Sequence, residues 1–290
     1  MRWQARRQKF RAVLEGDRAI HPGSVFDPLS ARIAEDIGFE TGMFAGSVAS
    51  MAVLGAPDLI VLTLTEFAGQ ALRINRAVEL PLLCDADHDY GNALNVTRTV
   101  EELENAGVAA LTIEDTELPA PYGAAGKARL ISIDEGTGKM RAALAARRDS
   151  ALVIAGRTSA MSIAGLDDTV RRIQAYEAAG VDAVFLTGVA SRAELDTLSG
   201  AISIPMFLAN AKGELADKEY LASRRVRIVL QGHMPIMAAM QAAHDTLKAL
   251  RDGTLPGELT GVPDADFMKR ITRSGDYQAM LGDYLSAPED

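Results

Sequence analysis

Apolar residues in this chain fall into short, nearly continuous runs separated by longer stretches in which hydrophobic positions recur every three or four residues. Eight such runs start at Ala19, Phe39, Leu80, Ala109, Ala151, Asp182, Ile204 and Val226. Brief aliphatic runs without alternation are the pattern of strands buried on both faces. Between them the spacing predicts helices over 28–37 with Asp27 as N-cap, 65–78, 93–106 stopped by Gly107, and 134–148. Further helices are predicted over 167–179 stopped at Gly180, 191–198, 218–223, and 235–250 begun by Pro235. Eight strand-then-helix units imply a parallel sheet closed into a (β/α)8 barrel, one domain spanning 1–290. The rival, an open doubly wound sheet, usually has a Gly-x-Gly-x-x-Gly turn after its first strand; Gly23-Ser24-Val25-Phe26 lacks it, and there is no Walker-type loop.

Two segments flank the repeating units. Phe10, Val13 and Leu14 lie at helical spacing in a basic amino-terminal stretch, which predicts an ordinary helix, although a run of arginines without acids also has the look of a transit peptide. At the other end, Gly253, Pro256, Gly257, Gly261 and Pro263 mark a linker, and 265–285 has the pattern of one more amphipathic helix. Met234, Met237 and Met240 recur at threes on the eighth helix, where core packing is expected.

Composition narrows the class of partner. Apolar residues make up 48% of the 290, with few aromatics, enough for a large aliphatic core. Thirty basic against 39 acidic residues give a net charge of −9, which argues against a nucleic-acid or anionic-membrane surface and favours small-molecule partners. The single cysteine, Cys84, excludes an intrachain disulfide or a Cys-cluster zinc site, and from its place in an apolar run is expected to be a small core residue. No apolar stretch is long enough to span a bilayer and the amino terminus lacks the apolar core of a secretory signal, so the expected location is cytoplasmic.

In (β/α)8 barrels chemistry sits at the carboxyl ends of the strands. The run ends here carry Ser47, Asp85, Asp87, Glu114, Arg157, Asn210 and His233. Leu80-Pro81-Leu82-Leu83-Cys84-Asp85-Ala86-Asp87-His88-Asp89-Tyr90-Gly91 is the most telling stretch: a buried strand that stops in acids. Alternation along a strand would put Asp85 and Asp87 on one face, two hard oxygen donors for one divalent cation, against the plain alternative of an acidic cap in solvent. His88 and Asp89 are expected to shape the loop, and Tyr90-Gly91 to fix a turn in which glycine takes the unusual backbone angle. Gly46-Ser47-Val48-Ala49-Ser50 reads as a small-residue loop whose backbone N–H groups can approach an anion, or as a bare turn. The irregular span 117–131 reads as a lid or as loop without function, and His21 as the partner in a strand-end hydrogen bond. The acids would hold a hard cation such as Mg²⁺; Arg157 and the Gly46-Ser47 loop would face an anion. An α-keto acid, which chelates metal through its carboxylate and carbonyl oxygens, suits both halves.

Taken in order, Gly46-Ser47, Asp58, Asp85-Ala86-Asp87-His88-Asp89-Tyr90-Gly91, Glu114-Asp115 and Gly156-Arg157-Thr158 resemble the isocitrate lyase and phosphoenolpyruvate mutase superfamily, over roughly residues 20 to 235. The resemblance implies a (β/α)8 barrel whose last helix is exchanged with a neighbouring subunit, here the segment 252–290, in a homotetramer built as a dimer of helix-swapped dimers. It implies Asp85 as the direct ligand of Mg²⁺, with Mn²⁺ the alternative ion, and Asp58, Asp87 and Glu114 acting through metal-bound waters. Anion binding falls on Gly46 and Ser47, and the substrate arginine on Arg157. The carbon–carbon lyases of the superfamily carry a Cys-Gly-His loop after the Glu-Asp element, where this chain reads Pro119-Ala120-Pro121-Tyr122-Gly123-Ala124-Ala125-Gly126. The Lys-Asn-Ser type of lid of the mutases and phosphonopyruvate hydrolases is also missing.

With His233 at the last strand end, the chain is similar to the oxaloacetate decarboxylase branch. A Mg²⁺-dependent loss of CO₂ from oxaloacetate or a close 3-substituted analogue is therefore expected, leaving a pyruvate enolate stabilised by the metal, Ser47 and Arg157. Asn210 and His233 are expected among the substrate contacts, His233 binding the departing carboxylate or protonating the enolate. The alternatives are retro-aldol cleavage of a substituted malate or methylisocitrate-like substrate, and a carboxylate-binding barrel without turnover.

Overall fold

A computed structural model describes residues 3–124 and 126–285; Arg2 of the basic amino-terminal stretch and Ala125 of the 117–131 span lie outside the described residues. By its contacts the chain falls into two compact units, Met1–Met234 and Pro235–Asp290.

The first unit is the barrel. Its strands are β1 (Gly23–Ser24), β2 (Gly42–Ala45), β3 (Leu82–Asp85), β4 (Ala110–Glu114), β5 (Val153–Thr158), β6 (Ala183–Leu186), β7 (Met206–Leu208) and β8 (Val226–Val229), hydrogen-bonded in that order. Every neighbouring pair is parallel. Ile20 closes the ring: its N–H donates to the Arg227 carbonyl at 2.9 Å, and its carbonyl accepts from Val229 N–H at 2.9 Å. The first strand therefore differs from the run expected at Ala19. Pro22, which has no N–H to give, divides it into Ile20, bonded to β8, and Gly23–Ser24, bonded to β2. Every residue of β2, β3, β4 and β6 is buried, which is why these runs show no alternation.

Helix starts follow local capping chemistry. Asp27 accepts from Ser30 N–H ahead of Pro28–Asp36, Thr63 caps Leu64–Ala77, and Asn92 caps Ala93–Asn105. Ser132 and Ser191 cap Ile133–Ala146 and Arg192–Ala201, while Gly180 ends Leu166–Ala179 in the left-handed conformation. The amino-terminal helix Gln4–Glu15 plugs the amino ends of the strands. Phe10 packs edge-on against Phe207 of β7 at 6.3 Å, and Arg6, Arg7 and Arg11 donate to the carbonyls of Val78, Val108 and Ala151, just before β3, β4 and β5. Arg7 also pairs with the buried Asp149 at 2.7 Å. The basic character of this segment thus serves the barrel floor, each charge-assisted bond contributing roughly 1.5–3 kcal/mol.

Two local expectations are corrected and one element is new. The 46–50 stretch is a short helix, Gly46–Ala49, continued by a wider turn over Ser50–Leu54 and stopped by Gly55 at φ 63°. A further short helix, Ala160–Ile163, follows β5. The expected single helix over 265–285 is two, Ala265–Thr272 and Ser274–Leu285, broken where Arg273 takes φ 59° and donates its N–H back to the Arg270 and Lys269 carbonyls. Arg273 is an L residue in a conformation glycine normally supplies, so nothing in the spacing marks the break.

The second unit is helical, running from Pro235 in helix Met234–Arg251 through the linker to that helix pair. Within these helices only Ile236 and Ile271 are buried. The core packing expected of Met234, Met237 and Met240 is not provided by the single chain, in which they are 67%, 49% and 44% exposed. No helix among the described residues is long and apolar enough to cross a membrane.

Candidate active site

The strand ends enclose a cavity of about 250 Å³ whose polar wall is Ser47, Asp58, Asp85, Asp87, Glu114, Arg157 and His233. Ile60, Leu118, Phe185 and Leu230 make its apolar side. Nearly all the site residues expected from the run ends therefore converge. Asn210 does not: it is exposed and lines a neighbouring cavity of about 500 Å³ with Lys212 and Gln231. Gly46 lies behind Ser47 rather than on the wall, and its part is steric: a β-carbon there would stand 1.9 Å from Oδ1 of Asp87. His21 bonds through Nδ1 to the Val229 carbonyl at 2.8 Å, the strand-end role expected of it.

Asp85 closes β3. Its Oδ1 accepts from the Thr112 hydroxyl at 2.9 Å and its Oδ2 from Arg157 Nη1. The same Nη1 lies 3.2 Å from Oε2 of Glu114, and the guanidinium rests over the Phe185 ring at 5.3 Å. Arg157, expected to face an anionic ligand, thus stands between two acids. Burial pulls its pKa down, but Asp85 and Glu114 outweigh burial and hold it up. Among the described residues no three His, Cys, Asp or Glu side chains already form a closed coordination group.

Asp87 reaches the wall by a different route from the alternation expected of a strand. β3 ends at Asp85, and Asp87, Asp89 and Tyr90 all take positive φ (52°, 58° and 61°) ahead of Gly91 at 142°. The turn, not the pleat, aims the carboxylate. The unusual backbone angle expected at Gly91 alone is shared by three L residues, a strain the surrounding bonds must hold. Burial, then Asp85 and Asp58, push Asp87 up to about 8. Burial raises Glu114 to about 7 against the pull of Arg157, and burial followed by Asp85 raises Asp58. Four carboxyl groups thus share the wall with one guanidinium, and burial together with mutual repulsion favours their protonated forms.

On the facing side, His233 Nδ1 lies 2.9 Å from the Ser24 hydroxyl; burial lowers its pKa, against the opposing pull of Asp85 and Asp58. Of the Glu114-Asp115 pair only Glu114 faces the cavity. Asp115 points outward and accepts from the Tyr176 hydroxyl at 2.6 Å and Arg172 Nη1 at 3.1 Å. The span 117–131 leaves β4 as a loop tied at its base, Glu117 N–H donating to the Arg129 carbonyl at 2.8 Å and Ile131 N–H to Asp115 at 2.9 Å.

Sequence reasoning missed Thr112, Ser24 and Lys139. Thr112 is two residues before Glu114 on the same strand face, a signal that was available. Lys139 shares the buried face of its helix with Gly136, Met140 and Ala143, a charge at apolar spacing that could also have been noticed. Ser24 carries no such mark.

Fold and cavity together define the class: a (β/α)8-barrel enzyme that gathers carboxylates, one arginine and one histidine at the carboxyl ends of its strands. Within that class the chain belongs to the phosphoenolpyruvate phosphomutase family, whose model matches residues 10–251. A protein from Bradyrhizobium diazoefficiens named oxaloacetate decarboxylase is 58% identical over 285 residues, covering 98% of this chain and 99% of its own. Among solved structures, phosphonopyruvate hydrolase in complex with oxalate and Mg²⁺ superposes with a TM-score of 0.83 at 29% identity, covering 97% of this chain and 99% of that one. Oxaloacetate acetylhydrolase with 3,3-difluorooxalacetate gives 0.84 at 26% identity, covering 99% of each chain.

Proposed function

We propose that this enzyme decarboxylates oxaloacetate, or a close 3-substituted analogue, to pyruvate and CO₂ with Mg²⁺ or Mn²⁺ held at Asp85 and flanked by Asp58, Asp87 and Glu114. The observation that carries the proposal is the gathering of four carboxyl groups, Asp58, Asp85, Asp87 and Glu114, on one small cavity, where burial, with repulsion from Asp85 and Asp58 added, holds Asp87 near 8. An all-carboxylate donor set of this kind suits a hard divalent cation, which would relieve that repulsion. Chain-long similarity to proteins named oxaloacetate decarboxylase supports the choice of substrate.

When bound, the ion supplies a Lewis acid for the keto oxygen of the substrate. The chain's own residues do the rest. Ser47 and the adjacent backbone donors bind the α-carboxylate, and Arg157, turning from Asp85 and Glu114, adds a positive charge where the enolate develops. Ile60, Leu118 and Phe185 keep water from the reacting carbons. His233 hydrogen-bonds the departing β-carboxylate or, in its protonated form, gives a proton to the enolate carbon. The rival retro-aldol cleavage needs a thiol acid in the 119–126 loop. The only cysteine, Cys84, is fully buried in β3, with burial and Asp85 raising its pKa.

The same proposal extends to a homotetramer, a dimer of helix-swapped dimers, in the cytoplasm. Supporting it are an open groove of about 890 Å³ on the barrel's outer wall, lined by Ile20, Phe39, Ala222 and Arg227, and the exposed apolar residues of the carboxyl-terminal helices. The decisive experiment measures pyruvate release from oxaloacetate by chelator-stripped protein with and without added Mg²⁺, against succinate release from 2-methylisocitrate and propionate release from 2,3-dimethylmalate. A crystal grown with Mg²⁺ and oxalate should hold both at Asp85. Full activity in chelator, or oxalate elsewhere at saturation, would sink the proposal.

A further inference from the structure

Pairing between β3 and β4 stops at Asp85↔Thr112, whereas β4 continues beside β5 as far as Glu114↔Arg157. The backbone of Glu114 therefore has a sheet neighbour on one side only. On the other side, Oδ2 of Asp89 accepts its N–H at 3.0 Å, and Lys139 Nζ donates to its carbonyl at 2.8 Å. Lys139 Nζ also lies 2.8 Å from the same Asp89 oxygen and donates to the His88 carbonyl at 3.3 Å, so each of its three protons has an acceptor. Both side chains are buried, at 4% and 0% exposure. An ion pair thus takes the place of the missing strand and ties the end of β4 to the turn that carries Asp87.

We propose that the Asp89–Lys139 pair is a positioning device that sets the Glu114 carboxylate at a fixed distance from Asp85 and Asp87, and so sets how tightly the cavity holds its cation. The proposal rests on the reading of Glu114 as a cation-holding group. Its physical ground is that a buried ion pair adds little net stability over apolar residues of the same volume, because desolvation offsets the attraction. What it adds is direction: three bonds from one ammonium converge on two chain segments with no covalent neighbour in common. Asp89 keeps a positive φ to make them. Helix Ile133–Ala146 supplies Lys139 from a rigid element outside the cavity, so the link acts on the site without touching a ligand.

The test uses full-length, metal-stripped protein and Mn²⁺ as the probe, with bound metal read by electron paramagnetic resonance and, separately, kcat, KM and Tm. Lys139→Met should weaken Mn²⁺ binding at least tenfold. Asp89→Asn, which keeps an acceptor for the Glu114 N–H, should weaken it less. In both, excess Mn²⁺ should recover most of kcat. Asp149→Asn breaks the equally buried Arg7–Asp149 pair at the opposite end of the barrel and should lower Tm while leaving Mn²⁺ affinity unchanged. Glu114→Gln separates the two layers of the proposal. If it weakens Mn²⁺ binding while Lys139→Met and Asp89→Asn do not, the positioning role is wrong and the metal site stands; if it has no effect, the metal role of Glu114 fails and the inference with it. Should Lys139→Met not fold, Asp89→Asn decides: unaltered Mn²⁺ affinity overturns the inference.

Discussion

Gly46 and Asp87 occupy adjoining space so tightly that the missing side chain of one makes room for the carboxylate of the other, 1.9 Å separating Oδ1 from where a β-carbon would be. Gly46 does not take a positive φ, so backbone freedom is not the reason for it. Gly46→Ala should therefore fold and still displace Asp87. A shift of about 1 Å at such a group costs on the order of 10²-fold, and a loss of that size in kcat/KM with a modest change in Tm is the expected result. Steady-state kinetics beside a thermal melt check it; an alanine variant with unimpaired turnover would show that Asp87 is not needed where it stands.

Without metal, the protein should lose stability as the medium turns from acid to neutral. Burial, the largest cause for each, raises Asp87 to about 8, Glu114 to about 7 and Asp89 to about 6. In the unfolded chain these carboxyls ionise near about 4. From about pH 4 upward the folded state thus holds protons the unfolded state has lost, and their contribution is fully present below that range and lost as pH passes each raised value. Urea midpoints in chelator should fall between about pH 5 and about pH 8, and saturating Mg²⁺ should flatten the trend by mass action. A midpoint that climbs over this window in chelator would contradict the assignment.

The Ser24 hydroxyl, 2.9 Å from His233 Nδ1, fixes which ring nitrogen faces the cavity. With Ser24 donating to Nδ1, the ring presents its Nε2–H to the cavity as a hydrogen-bond donor for substrate. Ser24→Ala should lower kcat/KM by about tenfold, the worth of one hydrogen bond, with KM changing less than kcat. His233→Ala should cost about 10²–10³-fold. Equal, small effects from both would leave His233 a packing residue.

Leu247, 68% exposed on helix Met234–Arg251, belongs to the apolar surface that the proposed tetramer would cover. Leu247→Glu buries a charge if the assembly forms and costs almost nothing if it does not. Light scattering should show a smaller particle for the variant. An unchanged mass would place this surface outside any subunit contact.

Much of the barrel could be read from the chain because its cause is local. The aliphatic runs at Leu80, Ala109 and Ala151 became β3, β4 and β5, and Asp27, Ser191 and Gly180 mark helix ends through bonds to their immediate neighbours. Errors arose where a distant partner decides. The first strand is divided because β8 takes Ile20 and β2 takes Gly23, and the Arg273 break needs an L residue in a conformation its type does not advertise.

The site divides the same way. That acids, an arginine and a histidine stand at strand ends followed from position along the chain, since each aliphatic run turns polar at its carboxyl end. That Asp87 arrives through a left-handed turn over Gly46, that Arg157 bridges Asp85 and Glu114, that Ser24 orients His233, and that Asn210 falls outside belonged to tertiary structure alone. Local spacing specifies which face or end of an element a residue occupies. Distances between side chains on different strands depend on closing the ring, and that closure is a property of all eight strands together.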